Sequence, residues 1–234
     1  MKYPKLNKTF KNESDEDDII VSGQQYLEYV ERSMSLNQVS VYIDEPVKHP
    51  AYYRRVADRI SSLGEHDEVR LVINSPGGRL DGLVTLLDAM LQSGAKSTAV
   101  ISGECHSAAS ILALNCDEIQ VSPYAGMLVH FVSFHSGGKG SDVRDQVNHT
   151  LDYSEVLFRD TYSGFLSEEE MLQVIAGKEM WLNAQEIADR LQARSAFLMQ
   201  AESEAQVEEY TEPEVLEEIK PEAKASKSKS KAKP

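Results

Sequence analysis

Apolar positions along this chain alternate between two spacings, and the alternation divides it into strands and helices. The segments IIVSG, from Ile19, and QVSVYID, from Gln38, are short and β-branched, which predicts strands, with YLEYVERSMSL between them as a helix. From Ala51 the run YYRRVADRISSL carries apolar residues at helical spacing, and the polar GEHDE separates it from the strand VRLVIN. The next unit repeats the scheme. NSPGG makes a turn, LDGLVTLLDAMLQSG an amphipathic helix closed by Gly94, and STAVISG a buried strand. A third unit runs through the short helix HSAASILALNC and the strand EIQVSP to the apolar strand GMLVHFVSF, which stops at the glycines of SGGKG.

Strands and helices that alternate in this way predict an α/β fold of repeated βαβ units, with a parallel sheet wound by right-handed crossovers and covered by helices. Downstream, Asp142 to Leu166 forms one helical pattern too long for a crossover. It is expected to project from the globule as a handle whose apolar positions need a partner, most simply a second copy of the chain. Ser167 with Glu170 reads as a capping box, and Asn183, or the residue before it, as the cap of a final helix NAQEIADRLQA.

Charge refines the boundaries. Residues 1–18 end in NESDEDD; Ala201–Glu218 holds eight glutamates and no basic residue, and Lys220–Pro234 holds six lysines against one glutamate. Such blocks stay solvated, so the expected organisation is a disordered acidic segment 1–18, a domain 19–198 and a disordered tail 199–234. The net charge of −14 argues against nucleic acid or an anionic membrane as a general partner. Cys105 and Cys116 lie in one apolar stretch and suggest neither a disulfide framework nor a metal site. The N-terminus lacks the apolar core of a signal peptide, and no apolar run of about 18 residues occurs, so a soluble cytoplasmic protein without cofactor is expected.

Four segments could carry chemistry. INSPGG, Ile73–Gly78, lies where a parallel strand gives way to a helix, the place where ligands collect in open α/β sheets. Its paired glycines free the backbone to aim an N–H at an oxyanion, although a plain tight turn reads the same way. GECHSAAS, Gly103–Ser110, repeats this geometry with Ser107 in the turn, as a nucleophile with the Ala108 N–H beside it or simply as a helix cap. Ser102 and Ser110 are weaker choices. His130 interrupts an apolar strand expected beside the serine turn, where a general base belongs; a buried structural histidine is the alternative. His106 is expected to point away from Ser107, and His135 falls in a polar loop. Glu179 is the candidate acid to orient the imidazole, or else a surface carboxylate.

Together these segments resemble the Clp protease proteolytic subunit family, of the crotonase-like fold. The likeness rests on INSPGG before an amphipathic helix, Gly103 with Ser107 four residues on, MLVH ending at His130, and WLNAQEIA, and covers roughly Val39–Arg194. It implies Ser107 as nucleophile, His130 as base, Glu179 as acid, and the N–H groups of Gly78 and Ala108 as oxyanion hole. It also implies a serine endopeptidase enclosed in two stacked seven-membered rings, a tetradecamer, fed by an AAA+ unfoldase. Glu179 stands where the family usually has Asp, and Cys105, His106, Ala108 and Ala109 depart from the usual residues around the serine. These departures resemble the Clp-like proteases of bacteriophages. Two other readings use the same fold: an inert assembly subunit, and a crotonase-type enzyme acting on an acyl-coenzyme A.

Overall fold

The computed structural model describes residues 10–11, 18–21 and 29–32 by their backbone and residues 36–211, the last without the side chains of 202 and 205–211. Most of the expected disordered segments 1–18 and 199–234 lies outside the described residues. Phe10–Lys11 (β1), Asp18–Val21 (β2) and Tyr29–Arg32 (β3) form a separate antiparallel sheet in the order β1-β2-β3. The expected helix from Tyr26 to Leu36 is therefore corrected: YVER is a strand paired with β2, Val30 opposite Ile20. Tyr, Val and Arg suit a pleated surface as well as a helix, and pairing with the β-branched IIV edge satisfies both backbones.

The main body follows as Gln38–Ile43 (β4), Pro50–Ser61 (α1), Glu68–Ser75 (β5), Leu80–Gln92 (α2), Lys96–His106 (β6), Ala108–Leu114 (α3), Glu118–Val121 (β7), Gly126–Val129 (β8), Gly140–Tyr162 (α4), Glu168–Ile175 (α5), Met180–Asn183 (β9) and Ala184–Thr211 (α6). The sheet order is β4-β5-β6-β8-β9, with β7 also paired to β6. All pairings are parallel except β8 with β9. This mostly parallel α/β arrangement is the ClpP/crotonase-like fold.

Because β4, β5 and β6 are added in one direction, right-handed crossovers place their helices on one face of the sheet. Burial alternates accordingly. Val69, Leu71, Ile73, Ala99 and Ile101 face the core with Leu83 and Leu86 of α2 and Leu112 of α3, all 1% exposed or less. The other face carries Gln38, Ser40 and Tyr42, the last 67% exposed. The expected helical cover therefore lies on one face of the strands, and the opposite face is open in the single chain.

One irregularity directs β6. Ile73 pairs with Ile101 but Ser75 with Cys105, so four residues of β6 advance against two of β5. The bulge is bridged by Ser102 Oγ donating to Ile73 O at 3.1 Å and by Glu104 N donating to Asn74 Oδ1 at 2.9 Å. Bulges bend a strand and sharpen its twist. Before the bulge β6 pairs with β7, and beyond it with β8.

Several expected ends move. The helix α2 ends at Ser93 in an extended conformation rather than on a left-handed Gly94. The strand β8 stops at Val129, so His130 stands just past its end instead of inside a longer strand. α4 ends at Tyr162, and α6 continues as helix to Thr211, past the expected boundary at 198. In α4 the buried residues, Ser154, Phe158, Thr161 and Tyr162, all lie in its second half, so its first half stands clear of the body. Among the described residues no helix is long and apolar enough to cross a membrane.

The capping box of α5 forms as expected: Glu170 N donates to Ser167 Oγ at 3.2 Å and Ser167 N to Glu170 Oε2 at 2.9 Å. Asn183 caps α6 in the same reciprocal way, its Oδ1 accepting from Gln185 N and Glu186 N at 3.0 Å. The Glu170 carboxylate also accepts two hydrogen bonds from Arg190, at 2.7 and 2.9 Å, and so ties α5 to α6 on either side of β9. Both side chains are about a quarter exposed, and the Arg190 guanidinium holds the Glu170 carboxyl down at about 2, against 4.5 ordinarily. A carboxyl with a depressed folded-state pKa stabilises fully above pH 4.5, and that contribution fades as pH falls toward 2. Urea unfolding of Glu170→Gln should show a loss of about 1–2 kcal/mol at pH 7 that shrinks steadily below pH 4.

Candidate active site

The strand β6 ends at His106, and Ser107 turns the chain into α3 with φ 55° and ψ −123°. It is the one non-glycine residue with positive φ among those described. Strict alternation from the buried Cys105 would send the Ser107 side chain into the core, and the left-handed bend breaks that alternation. The bend has a cost of about 1–3 kcal/mol, which the surroundings must overcome. They do so from two sides. Ser107 N donates to Leu128 O at 2.8 Å, stitching the turn to β8, and Gly77 packs against it with no room for a side chain. A Cβ on Gly77 would lie 2.7 Å from Ser107 Cβ and 3.0 Å from Ala108 N.

The Ser107 side chain makes no capping hydrogen bond to α3, which separates it from the helix-cap alternative. Of the weaker serines, Ser102 gives its hydroxyl to Ile73 O and Ser110 is fully buried. Cys105 is no rival nucleophile: it is fully buried, and burial pushes its thiol well up, away from the reactive thiolate.

Sheet register brings the remaining residues to the same edge. His106 pairs with Leu128 in the parallel β6-β8 ladder, and continuing that register sets Ser107 beside Val129, next to His130. The antiparallel β8-β9 ladder ends with Val129 opposite Met180, and its next step sets His130 opposite Glu179. Residues opposite one another in an antiparallel pair share a face and have Cβ atoms about 5 Å apart. Met127 and Leu182 are opposite and buried, so Leu128 with Trp181, and His130 with Glu179, belong to the open face. His130 is partly exposed and Glu179 exposed. Among the described residues no hydrogen bond joins the side chains of Ser107, His130 and Glu179.

The glycine pair provides a backbone donor. Val47 N donates to Gly77 O at 2.7 Å and Arg79 N to Val47 O at 2.8 Å, a parallel bridge centred on Gly78. In such a bridge the N–H of the central residue points to the opposite side, away from Val47 and toward the serine turn. Gly77 and Gly78 have φ 86° and 148°, conformations that side chains disfavour. Ala108 is the first residue of α3, so its N–H has no partner within the helix. Among the described residues neither the Gly78 nor the Ala108 N–H is engaged by the protein.

Of the two histidines set aside from the sequence, His106 stands differently from the expectation, and His135 lies in a loop as expected. His106 lies on the open face with His130, and its ring meets the edge of Trp181 at a centroid distance of 5.3 Å, across Leu128. His135 is exposed in the segment after β8. The strand β9, which carries Glu179 to the edge, has no counterpart in the sequence-based reading. Its only signal was Trp181-Leu182 between Gly177 and the Asn183 cap.

A mostly parallel sheet whose carboxyl edge gathers a left-handed serine turn, a histidine, a carboxylate and two unengaged backbone N–H groups is the frame of a ClpP-like peptidase. Residues 23–190 match the family model for Clp protease, and the chain belongs to that family. No curated protein matches the chain.

The close contact at Gly77 gives a stability test. Gly77→Ala should cost about 2–4 kcal/mol in chemical denaturation, from positive φ together with overpacking of the serine turn. Gly64→Ala, where a Cβ meets nothing within 4 Å, should change stability by less than about 0.5 kcal/mol.

Proposed function

We propose that this chain is a serine endopeptidase that cleaves polypeptides through an acyl-enzyme on Ser107. The observation that carries the reading is the sheet order β6-β8-β9, which brings Ser107, His130 and Glu179 to one edge, each one residue beyond the end of its strand. In this reading His130 removes the Ser107 hydroxyl proton as Oγ attacks the scissile carbonyl, and Glu179 holds the imidazole in the tautomer that can accept it. The negative oxygen of the tetrahedral intermediate is received by the Gly78 and Ala108 N–H groups. His130 then returns the proton to the leaving amine, and a water activated by the same imidazole releases the acyl product.

Glu179 reaches one methylene further than the usual Asp. The β8-β9 register, carried one step beyond the ladder, sets it opposite His130, and its side chain is exposed. The reading places this chemistry in a closed chamber built from copies of the chain, as heptameric rings stacked in pairs. Leu151, Tyr153 and Val156 on α4 are 38%, 44% and 62% exposed, apolar surface that assembly would cover. It extends to a cytoplasmic setting and to an AAA+ unfoldase as the source of extended substrate.

One observation favours an inert assembly subunit instead. The three side chains are not hydrogen-bonded to one another in the single chain, although such bonds are often long before substrate binds. Fluorophosphonate labelling with peptide mass spectrometry, run beside size-exclusion chromatography with light scattering, separates the two. The peptidase reading predicts an adduct on Ser107, no labelling in Ser107→Ala or His130→Ala, and peptide turnover reduced at least about 100-fold in Glu179→Gln. An assembled oligomer that leaves Ser107 unlabelled and cleaves no peptide would overturn it.

A further inference from the structure

A buried polar chain connects the last residue of α4 to the peptide group that follows Ser107. Tyr162 is 1% exposed, and its Oη lies 2.6 Å from Oγ of Ser110, itself fully buried on α3. Ser110 Oγ lies 2.7 Å from Ser107 O, which also accepts from Ser110 N at 2.9 Å and Ile111 N at 3.3 Å. A carbonyl oxygen can only accept, so the single hydroxyl hydrogen of Ser110 goes to Ser107 O. The short contact between the two hydroxyls therefore has Tyr162 as donor, and the chain runs Tyr162 O–H to Ser110 O–H to Ser107 C=O. Chains of this polarity strengthen one another in a low-dielectric interior.

What the chain holds is the plane of one peptide. The carbonyl of Ser107 and the N–H of Ala108 belong to the same trans unit and point in opposite directions, so anchoring the oxygen aims the N–H. That N–H is one of the two backbone donors facing the site, and it leaves a residue with φ 55° whose conformation no local preference supports. Burial pushes the Tyr162 phenol well up, so it remains a proton donor throughout any working pH range. Arg194 is not a member of this hydrogen-bonded chain: its Nη1 donates to Leu114 O at 2.8 Å, and its buried Nε has no protein partner among the described residues.

We infer that Tyr162, acting through Ser110, is a positioning residue that aims the Ala108 N–H at the oxyanion. The inference rests on the peptidase reading above and names two side chains which do not touch the substrate. The loss of either hydroxyl should then slow acylation without weakening substrate binding.

The test compares the intact chain with Tyr162→Phe, Ser110→Ala and the double variant, measuring the fluorophosphonate labelling rate and peptide kcat and KM per folded site. Ser97→Ala serves as a stability control. It removes a comparably buried hydroxyl, 2.7 Å from Asp117 Oδ2, at the start of β6 and far along the strand from Ser107. The inference predicts kcat and labelling rates lower by about 10- to 100-fold in Tyr162→Phe, with KM unchanged and the double variant no worse than the more damaging single one. Ser97→Ala should lower the thermal midpoint similarly and leave kcat intact. Should Tyr162→Phe fail to fold, 3-fluorotyrosine at position 162 keeps the shape and strengthens the donor, and the labelling rate should shift by about 2-fold. An active wild type whose kcat and labelling rate are unchanged by these substitutions overturns the inference alone. A wild type that neither labels nor cleaves overturns the peptidase reading and the inference together.

Discussion

The left-handed bend at Ser107 is the constraint around which the rest of the sheet is arranged. A serine held at φ 55° exists only if its neighbours over-determine it. Here the β6-β8 ladder supplies the Leu128 carbonyl on one side, and the glycine turn after β5 supplies a wall with no side chain on the other. A third support comes from below, where α3 and the end of α4 meet through Ser110 and Tyr162. With this bend the serine hydroxyl makes no capping hydrogen bond, and the Ala108 N–H opens the helix without a partner in it. Cost and chemical use are thus two descriptions of one backbone conformation.

The crossovers explain why this edge is accessible. Helices collected on one side of β4, β5 and β6 leave the other side uncovered, and His130, Glu179, His106 and Trp181 all lie there. The bulge in β6 is what allows one strand to pair first with β7 and then with β8, bringing the histidine strand alongside the serine turn. The strand β9 enters antiparallel, held between α5 and α6 by the Glu170–Arg190 pair, so that its first residues meet the last residues of β8. Each device is local, but together they converge on one edge. In the proposed assembly, the exposed apolar residues of α4 are surface that a second copy of the chain would bury.

Local chemistry made much of this legible from sequence. Paired glycines after a β-branched strand, a serine between strand and helix, and a histidine inside an apolar run each carry a local signal, and the same holds for the Ser167–Glu170 and Asn183 caps. What escaped depends on long-range partners. MWLN is four residues long and shows no clear alternation, so only its pairing with β8 makes it a strand. YVER is equally at home in a helix until β2 lies beside it. The end of β8 at Val129 is set by where its neighbours stop, not by the apolar residues that continue to Phe134. Tyr162 and Ser110 are 52 residues apart, and no pattern along the chain couples a helix-terminal tyrosine to a core serine.

The central claim is geometric: a carbonyl oxygen bound to Ser107 is received by two particular backbone N–H groups. A crystal structure of the assembled protein inactivated by a peptide chloromethyl ketone tests it directly. The account predicts a bond from Ser107 Oγ to the former carbonyl carbon, His130 alkylated, and the oxygen within hydrogen-bonding distance, about 2.7–3.1 Å, of both Gly78 N and Ala108 N. An adduct elsewhere, or an oxygen that faces solvent with those two groups turned away, would contradict it.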